Sequence, residues 1–237
     1  KDENGNLIDP CKGQEDIKNK ILKKVSDSFK DDPLRVLRVA RFAAKLKYLK
    51  FSIEEETLEA MKIISNSEEL KSLPKERVWQ ETYKALQEKN PEEYLETLIK
   101  SEAIYKLVGR SFYTNLPAFK KISSEILEPE KRWAILANNS SCDLIDLNRA
   151  FGVPKKIKEI CGILERLISF ELKCRSKKVK SSKILDLIEE VDGLRRNQRF
   201  TSTLNILDAF NKTFFPQEKS LLSWAALSTK LLSLKPS

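Results

Sequence analysis

Histidine is missing from all 237 residues of this sequence. Its absence removes the side chain that most often acts as a general acid or base near neutral pH, and a common zinc ligand. The 4 cysteines are Cys11, Cys142, Cys161 and Cys174, and no two of them form a C-x-x-C pair. A zinc site would need scattered thiolates brought together, so we predict no metal site and reduced thiols in a cytoplasmic protein.

Glycine is scarce as well, at 6 residues. Neither glycine-rich phosphate loop, G-x-x-x-x-G-K-[ST] or G-x-G-x-x-G, occurs in the sequence. There is no D-x-D pair on a predicted strand to hold Mg²⁺. No apolar run reaches the roughly 18 residues of a membrane span. We therefore expect no membrane association and no complete active site within this chain.

Positive charge is in excess, with 44 Lys and Arg against 35 Asp and Glu, a net charge of +9 and a pI near 9.2. Hydrophobic residues make up 41%, enough to bury a core. A basic chain of this kind favours a polyanionic partner, and nucleic acid is the commonest one. A basic surface without a partner is the alternative.

Apolar residues at steps of three and four, with almost no alternating pattern, predict an all-α fold. Most prolines stand where a helix would begin, and Ser52 with Glu55 matches the capping box S-x-x-E. A boundary is predicted near 110–116 and a basic link at 173–182. The predicted helices are 14–25, 33–49, 53–66, 74–88, 91–100, 101–108, 117–127, 130–138, 143–151, 155–171, 182–192, 198–212 and 217–233.

The segment 31–42, DDPLRVLRVARF, is the most informative part of the chain. Its arginines at positions 35, 38 and 41 are neighbours on a helix surface because they lie three residues apart. Asp32 and Arg35 could together read the Watson–Crick edge of C or A, the carboxylate accepting from the exocyclic amine and the guanidinium donating to the ring nitrogen. Alternatively, Asp32 caps the helix and Arg35 pairs with Glu76. Residue types alone favour the second interpretation.

In its context the segment resembles the bacterial class II tRNA nucleotidyltransferases, the CCA-adding enzymes and their poly(A) polymerase relatives. The resemblance rests on N-G-N-L-I-D-P at 4–10, Gly13, Asp16, segment 31–44 and P-K-E-R-V-W-Q-E at 74–81. It implies an all-α chain of neck, body and tail regions with a short remnant of an α/β catalytic head. The implied regions are 1–10 (head), 11–88 (neck, selecting nucleotides), 89–172 (body) and 173–237 (tail, binding tRNA, with a degenerate HD-like remnant across body and tail).

The resemblance also implies roles for individual residues. Asp32 and Arg35 match the base-reading pair of the family and Arg38 a further nucleotide contact. Supporting positions are Asp31, which replaces the usual glutamate, Arg41, Glu76 and Arg77. RNA-binding candidates, which residue types leave open to a structural role, are Lys177, Lys178, Lys180, Arg195 and Arg199.

The implied activity is addition of C, C and A to the tRNA 3′ end from CTP and ATP, with Mg²⁺ held by head carboxylates upstream of Asp9. Because residue 1 is lysine, we expect the chain to be part of a longer protein. Because the implied metal-binding carboxylates lie outside it, we expect the chain to be inactive alone. The alternatives are a poly(A) polymerase that accepts ATP alone and a helical RNA-binding module without catalysis. The sequence does not indicate an oligomeric state.

Overall fold

The structure is a computed structural model that describes residues 3, 5, 8–176, 180–216, 226 and 229. Its contacts divide the chain into two compact units. Unit 1 comprises Lys1–Phe112 with Ala150–Gly152, and unit 2 comprises Tyr113–Arg149 with Val153–Ser237. The division after Phe112 falls inside the predicted boundary segment 110–116. The neck, body and tail limits at 10, 88 and 172 stay predictions.

In the described residues of unit 1, the regular secondary structure is helical apart from one very short parallel strand pair. Its strands are β1 (Ile21–Leu22) and β2 (Ser52–Ile53), joined in the register Ile21 to Ser52. Short 3₁₀ turns cover Asp27–Asp31 and Lys47–Leu49. The helices are α1 (Gly13–Asn19), α2 (Leu34–Leu46), α3 (Glu55–Asn66), α4 (Glu68–Ser72), α5 (Lys75–Gln87), α6 (Pro91–Lys100) and α7 (Ala103–Val108).

Helix α2 is central to unit 1 because its apolar face packs on both α5 and α6. Val36, Leu37, Ala40 and Ala44 on this face are fully buried. The alanines have little bulk, so neighbouring helices can approach α2 closely. Of the arginines on the same helix, Arg38 is exposed, whereas Arg35 and Arg41 are half-buried.

Unit 2 contains the helices α8 (Leu116–Glu125), α9 (Pro129–Asn138), α10 (Leu144–Ala150, whose last residue counts with unit 1), α11 (Lys155–Ser176), α12 (Ser181–Glu190) and α13 (Asn197–Phe214). The long α11 packs on α9 and α13. Trp133 is fully buried, and its indole N–H donates to Asn148 Oδ1 at 2.8 Å. Trp133 therefore fills the core of this unit.

The all-α prediction is confirmed, with local corrections. The predicted helix 14–25 ends at Asn19, because Lys20 adopts a left-handed conformation and the following residues pair with β2. The capping box at Ser52 is wrong: Ser52 belongs to β2 and Glu54 precedes α3. Helix α4 was not predicted, whereas α11 runs to Ser176. The predicted helix 217–233 lies outside the continuously described residues.

Candidate nucleotide-binding site

Asp32 stands at the entrance to α2 and holds two contacts. Its Oδ1 accepts from the backbone N–H of Leu34 at 3.0 Å, which caps the start of the helix. Its Oδ2 lies 3.4 Å from Arg77 Nη2 at the first turn of α5. A carboxylate has about four acceptor positions, so both contacts leave Asp32 able to accept from a ligand amine.

Arg35 lies one turn further along and is half-buried. Its guanidinium donates to the backbone carbonyl of Ser28, in the 3₁₀ turn before α2. It does not use Glu76, the partner that residue types suggested. Glu76 is exposed on α5, and its described contact is with Gln80 at 3.4 Å. The Ser28 carbonyl orients the Arg35 side chain while other guanidinium donors remain for a ligand.

The other two arginines of the segment differ from each other. Arg38 is exposed, and the described residues offer it no hydrogen bond or ion pair. Arg41 instead donates from Nε to Glu81 Oε2 at 2.6 Å, with side chains only 13% and 9% exposed. Its guanidinium also lies 4.4 Å from the centre of the Phe42 ring. Arg41 thus joins α2 to α5, and Arg38 is left for solvent or a ligand.

Arg35 and Arg38 line one cleft of about 450 Å³ together with Lys23 and Lys24. Phe29, Val39 and Phe42 supply an apolar wall, and no carboxylate is among the lining residues. The volume is in the range of small-molecule sites. Asp31 is exposed, and neither it nor Asp32 is among the residues lining the cleft, although Asp32 lies one turn from Arg35. Four cations around an apolar wall suit an anionic ligand with an aromatic ring.

Lys23 and Lys24 escaped the sequence-based prediction. They lie outside the arginine spacing, and the pairing of β1 with β2 helps to place them beside α2. The hydrogen bond from Lys23 to Glu54, aided by the charge of that carboxylate, raises the pKa of Lys23 above its ordinary value. Lys23 is therefore charged at neutral pH. The one sequence signal that could have indicated these lysines as site residues is that they are adjacent and lie shortly before the segment 31–42.

The RNA-binding candidates of unit 2 lie among ion pairs. Arg199 contacts Glu159 at 2.5 Å and Arg195 contacts Asp192 at 2.8 Å. Arg199 lines a second cleft of about 430 Å³. Lys180 is exposed just before α12, whereas Lys177 and Lys178 lie outside the described residues. An RNA-binding role for these residues stays a prediction.

Two features are absent from the described residues. No three His, Cys, Asp or Glu side chains are grouped closely enough to hold a metal ion there. None of the helices in the same part of the chain combines the length and apolar character that crossing a bilayer requires.

Comparison with known proteins matches residues 50–108 to a family described as "Probable RNA and SrmB- binding site of polymerase A". A CCA-adding enzyme from Pseudomonas putida is 32% identical over 99% of this chain and 64% of its own length. A CCA-adding enzyme from Actinobacillus succinogenes is 55% identical, over 45% of this chain and 27% of its own length. The chain thus spans less than two thirds of these relatives.

A solved tRNA nucleotidyltransferase, in complex with a primer tRNA and an incoming ATP analogue, has the same fold. It superposes with a TM-score of 0.58 and 22% identity over 88% of this chain and 66% of that structure. The sequence and fold comparisons together show that the chain is similar to an all-α portion of tRNA nucleotidyltransferases. The chain is similar to the tRNA nucleotidyltransferase and poly(A) polymerase family, and relatives that match it along nearly its whole length are named CCA-adding enzymes.

Proposed function

We propose that this chain selects the nucleotide and binds the RNA in an enzyme that adds C, C and A to the 3′ end of tRNA. The observation that carries the proposal is the placement of Asp32 and Arg35 one turn apart at the start of α2, beside a cationic cleft that no carboxylate lines. Relatives named CCA-adding enzymes match 99% of the chain, which supports this activity over other nucleotidyl transfers.

Base selection follows from hydrogen-bond chemistry. Cytosine and adenine each present an exocyclic amine beside an unprotonated ring nitrogen, which a carboxylate and a guanidinium can satisfy together. Uracil and guanine present a carbonyl beside a ring N–H at the same positions, so a carbonyl would face the Asp32 carboxylate and an N–H the Arg35 guanidinium. Such mismatched polar contacts are costly when water is excluded. Asp32 and Arg35 therefore accept CTP and ATP and reject UTP and GTP.

In this proposal the metal chemistry belongs to the catalytic head. Carboxylates there would hold Mg²⁺, which neutralises charge on the transferring phosphate. This chain orients the base of the nucleotide and binds the tRNA. Arg77 and Arg41 support the base-reading pair, Arg77 by its contact with Asp32 and Arg41 by fixing α2 to α5.

Incorporation of labelled CTP tests the activity directly. The protein carrying this chain with its catalytic head is given tRNA that ends before C, C and A, with Mg²⁺ and either CTP or ATP. We expect CTP to be incorporated first and ATP to follow. Incorporation of ATP alone would identify a poly(A) polymerase, and no incorporation of either would leave RNA binding as the function.

A further inference from the structure

The backbone that carries Lys23 and Lys24 is anchored to the start of α3. Besides the β1–β2 pair, the N–H of Lys24 donates to Thr57 Oγ1 at 2.8 Å, and the Thr57 hydroxyl donates to Glu54 Oε2 at 3.0 Å. Thr57 is 1% exposed. These contacts fix the position of the lysines at the cleft although the segment between β1 and the 3₁₀ turn has no regular structure of its own.

The two lysines differ in how well their charges are compensated. Lys23 Nζ lies 2.8 Å from Glu54 Oε1, and that carboxylate is only 22% exposed. Lys24 Nζ lies 3.6 Å from Asp27, whose side chain is 96% exposed. A pair this long and this exposed contributes little, so Asp27 competes weakly with a ligand. Of the two lysines, Lys24 therefore has the less compensated charge, and it can bind an anion in the cleft.

Arg38 faces the same cleft without a described partner, and the cleft has no carboxylate lining. We propose that Lys24 and Arg38 form a phosphate-binding subsite next to the base-reading pair, and that Glu54 and Thr57 position it. The inference rests on the proposed function, because the base held at Arg35 would bring phosphate within reach. The phosphate belongs either to the incoming nucleoside triphosphate or to the RNA 3′ end.

Equilibrium binding to the chain tests the subsite. CTP, cytidine and inorganic triphosphate are titrated into the unmodified chain, K24A and K30A by calorimetry. Lys30 is the control because it is exposed in the neighbouring 3₁₀ turn and does not line the cleft. If the phosphate is that of the nucleotide, K24A weakens CTP and triphosphate binding about tenfold and leaves cytidine unchanged. K30A changes none of the three.

A short RNA oligonucleotide distinguishes the two phosphate sources. If K24A weakens RNA binding about tenfold and leaves CTP unchanged, the phosphate is that of the RNA. Unchanged affinity for both ligands would overturn the subsite. Failure of the proposed function looks different, because the unmodified chain would then bind all four nucleoside triphosphates equally. No binding of nucleotide or RNA would overturn both.

The positioning role of Thr57 has its own readout. Thr57→Val removes the acceptor of the Lys24 N–H with little change in volume, and Thr57→Ser keeps it. We expect Thr57→Val to weaken binding of the same phosphate ligand that K24A weakens, and Thr57→Ser to retain that binding. The affinity for cytidine should be unchanged in both variants. Equal loss for cytidine and phosphate ligands would show a general packing defect and contradict the role.

Discussion

The arginines at positions 35, 38 and 41 have different contacts because their neighbours differ. Arg35 is oriented by a backbone carbonyl, Arg38 has no described partner, and Arg41 is committed to Glu81. Their spacing predicted that they would lie close together, and residue types alone could not separate them. The distinction comes from the partners of Arg41 and Arg35. The partner of Arg41 lies on α5, which is distant in sequence, and the partner of Arg35 lies in a short 3₁₀ turn that has no clear sequence pattern. The sequence therefore predicted that this segment is important, and the resemblance predicted roles for its residues. The structure adds which of the arginine side chains are available to bind a ligand.

Cysteine reactivity follows from burial. Cys161 is fully buried, which raises the pKa of its thiol to about 12, and burial also raises the pKa of Cys142 and Cys174. Cys11 is exposed. Because the thiolate is the reactive form, raised pKa values slow reaction at pH 8. We expect a thiol reagent to label Cys11 first and Cys161 only on unfolding.

The Cys11→Ser variant checks this order by removing the fast phase. Mass spectrometry of the labelled peptides assigns each phase. Rapid labelling of Cys161 in the folded chain would contradict its burial in the core.

At the scale of elements, periodicity predicted the amphipathic helices and missed the strand pair. Helices α2, α5 and α6 each bury an apolar face, so their sequences carry a clear period. The strands β1 and β2 have two residues each, too short for any alternation to appear. Their pairing joins segments about thirty residues apart, and this contact places Lys24 at the cleft. The lysines were missed for the same reason that the strands were.

The ion pair between α2 and α5 contributes to the stability of unit 1. Glu81→Ala leaves the Arg41 guanidinium largely buried without its carboxylate, and breaking such a pair costs about 3 kcal/mol. Lys84 lies 3.9 Å from the other oxygen of Glu81 and is 54% exposed, so it adds little. We expect Glu81→Ala to lower the free energy of unfolding, measured in urea, by about 3 kcal/mol.

Glu76→Ala is the matched control, since Glu76 is exposed on the same helix. We expect the free energy of unfolding of Glu76→Ala to differ from that of the unmodified chain by no more than about 0.5 kcal/mol. Equal losses for the two variants would show that the pair does not stabilise the packing of α2 on α5.

Across the whole molecule, the basic charge and the matched family both agree with the proposed RNA partner. The net charge of +9 suits RNA, and the family that matches residues 50–108 is described as "Probable RNA and SrmB- binding site of polymerase A". The chain spans 64% of the length of its Pseudomonas putida relative. In the proposed enzyme, this chain contributes the choice of nucleotide and the catalytic head contributes the metal chemistry.

Competition binding of CTP, ATP, UTP and GTP to Arg35→Ala tests the proposed nucleotide choice most directly. Arg149→Ala is the control because Arg149 lies in unit 2, is 72% exposed and does not line the cleft. A lost base contact is worth about 1–3 kcal/mol of discrimination. We predict that the unmodified chain and the control prefer CTP and ATP, and that Arg35→Ala loses this preference about tenfold or more. An unchanged preference in Arg35→Ala would contradict the assignment of Arg35 as a base-reading residue.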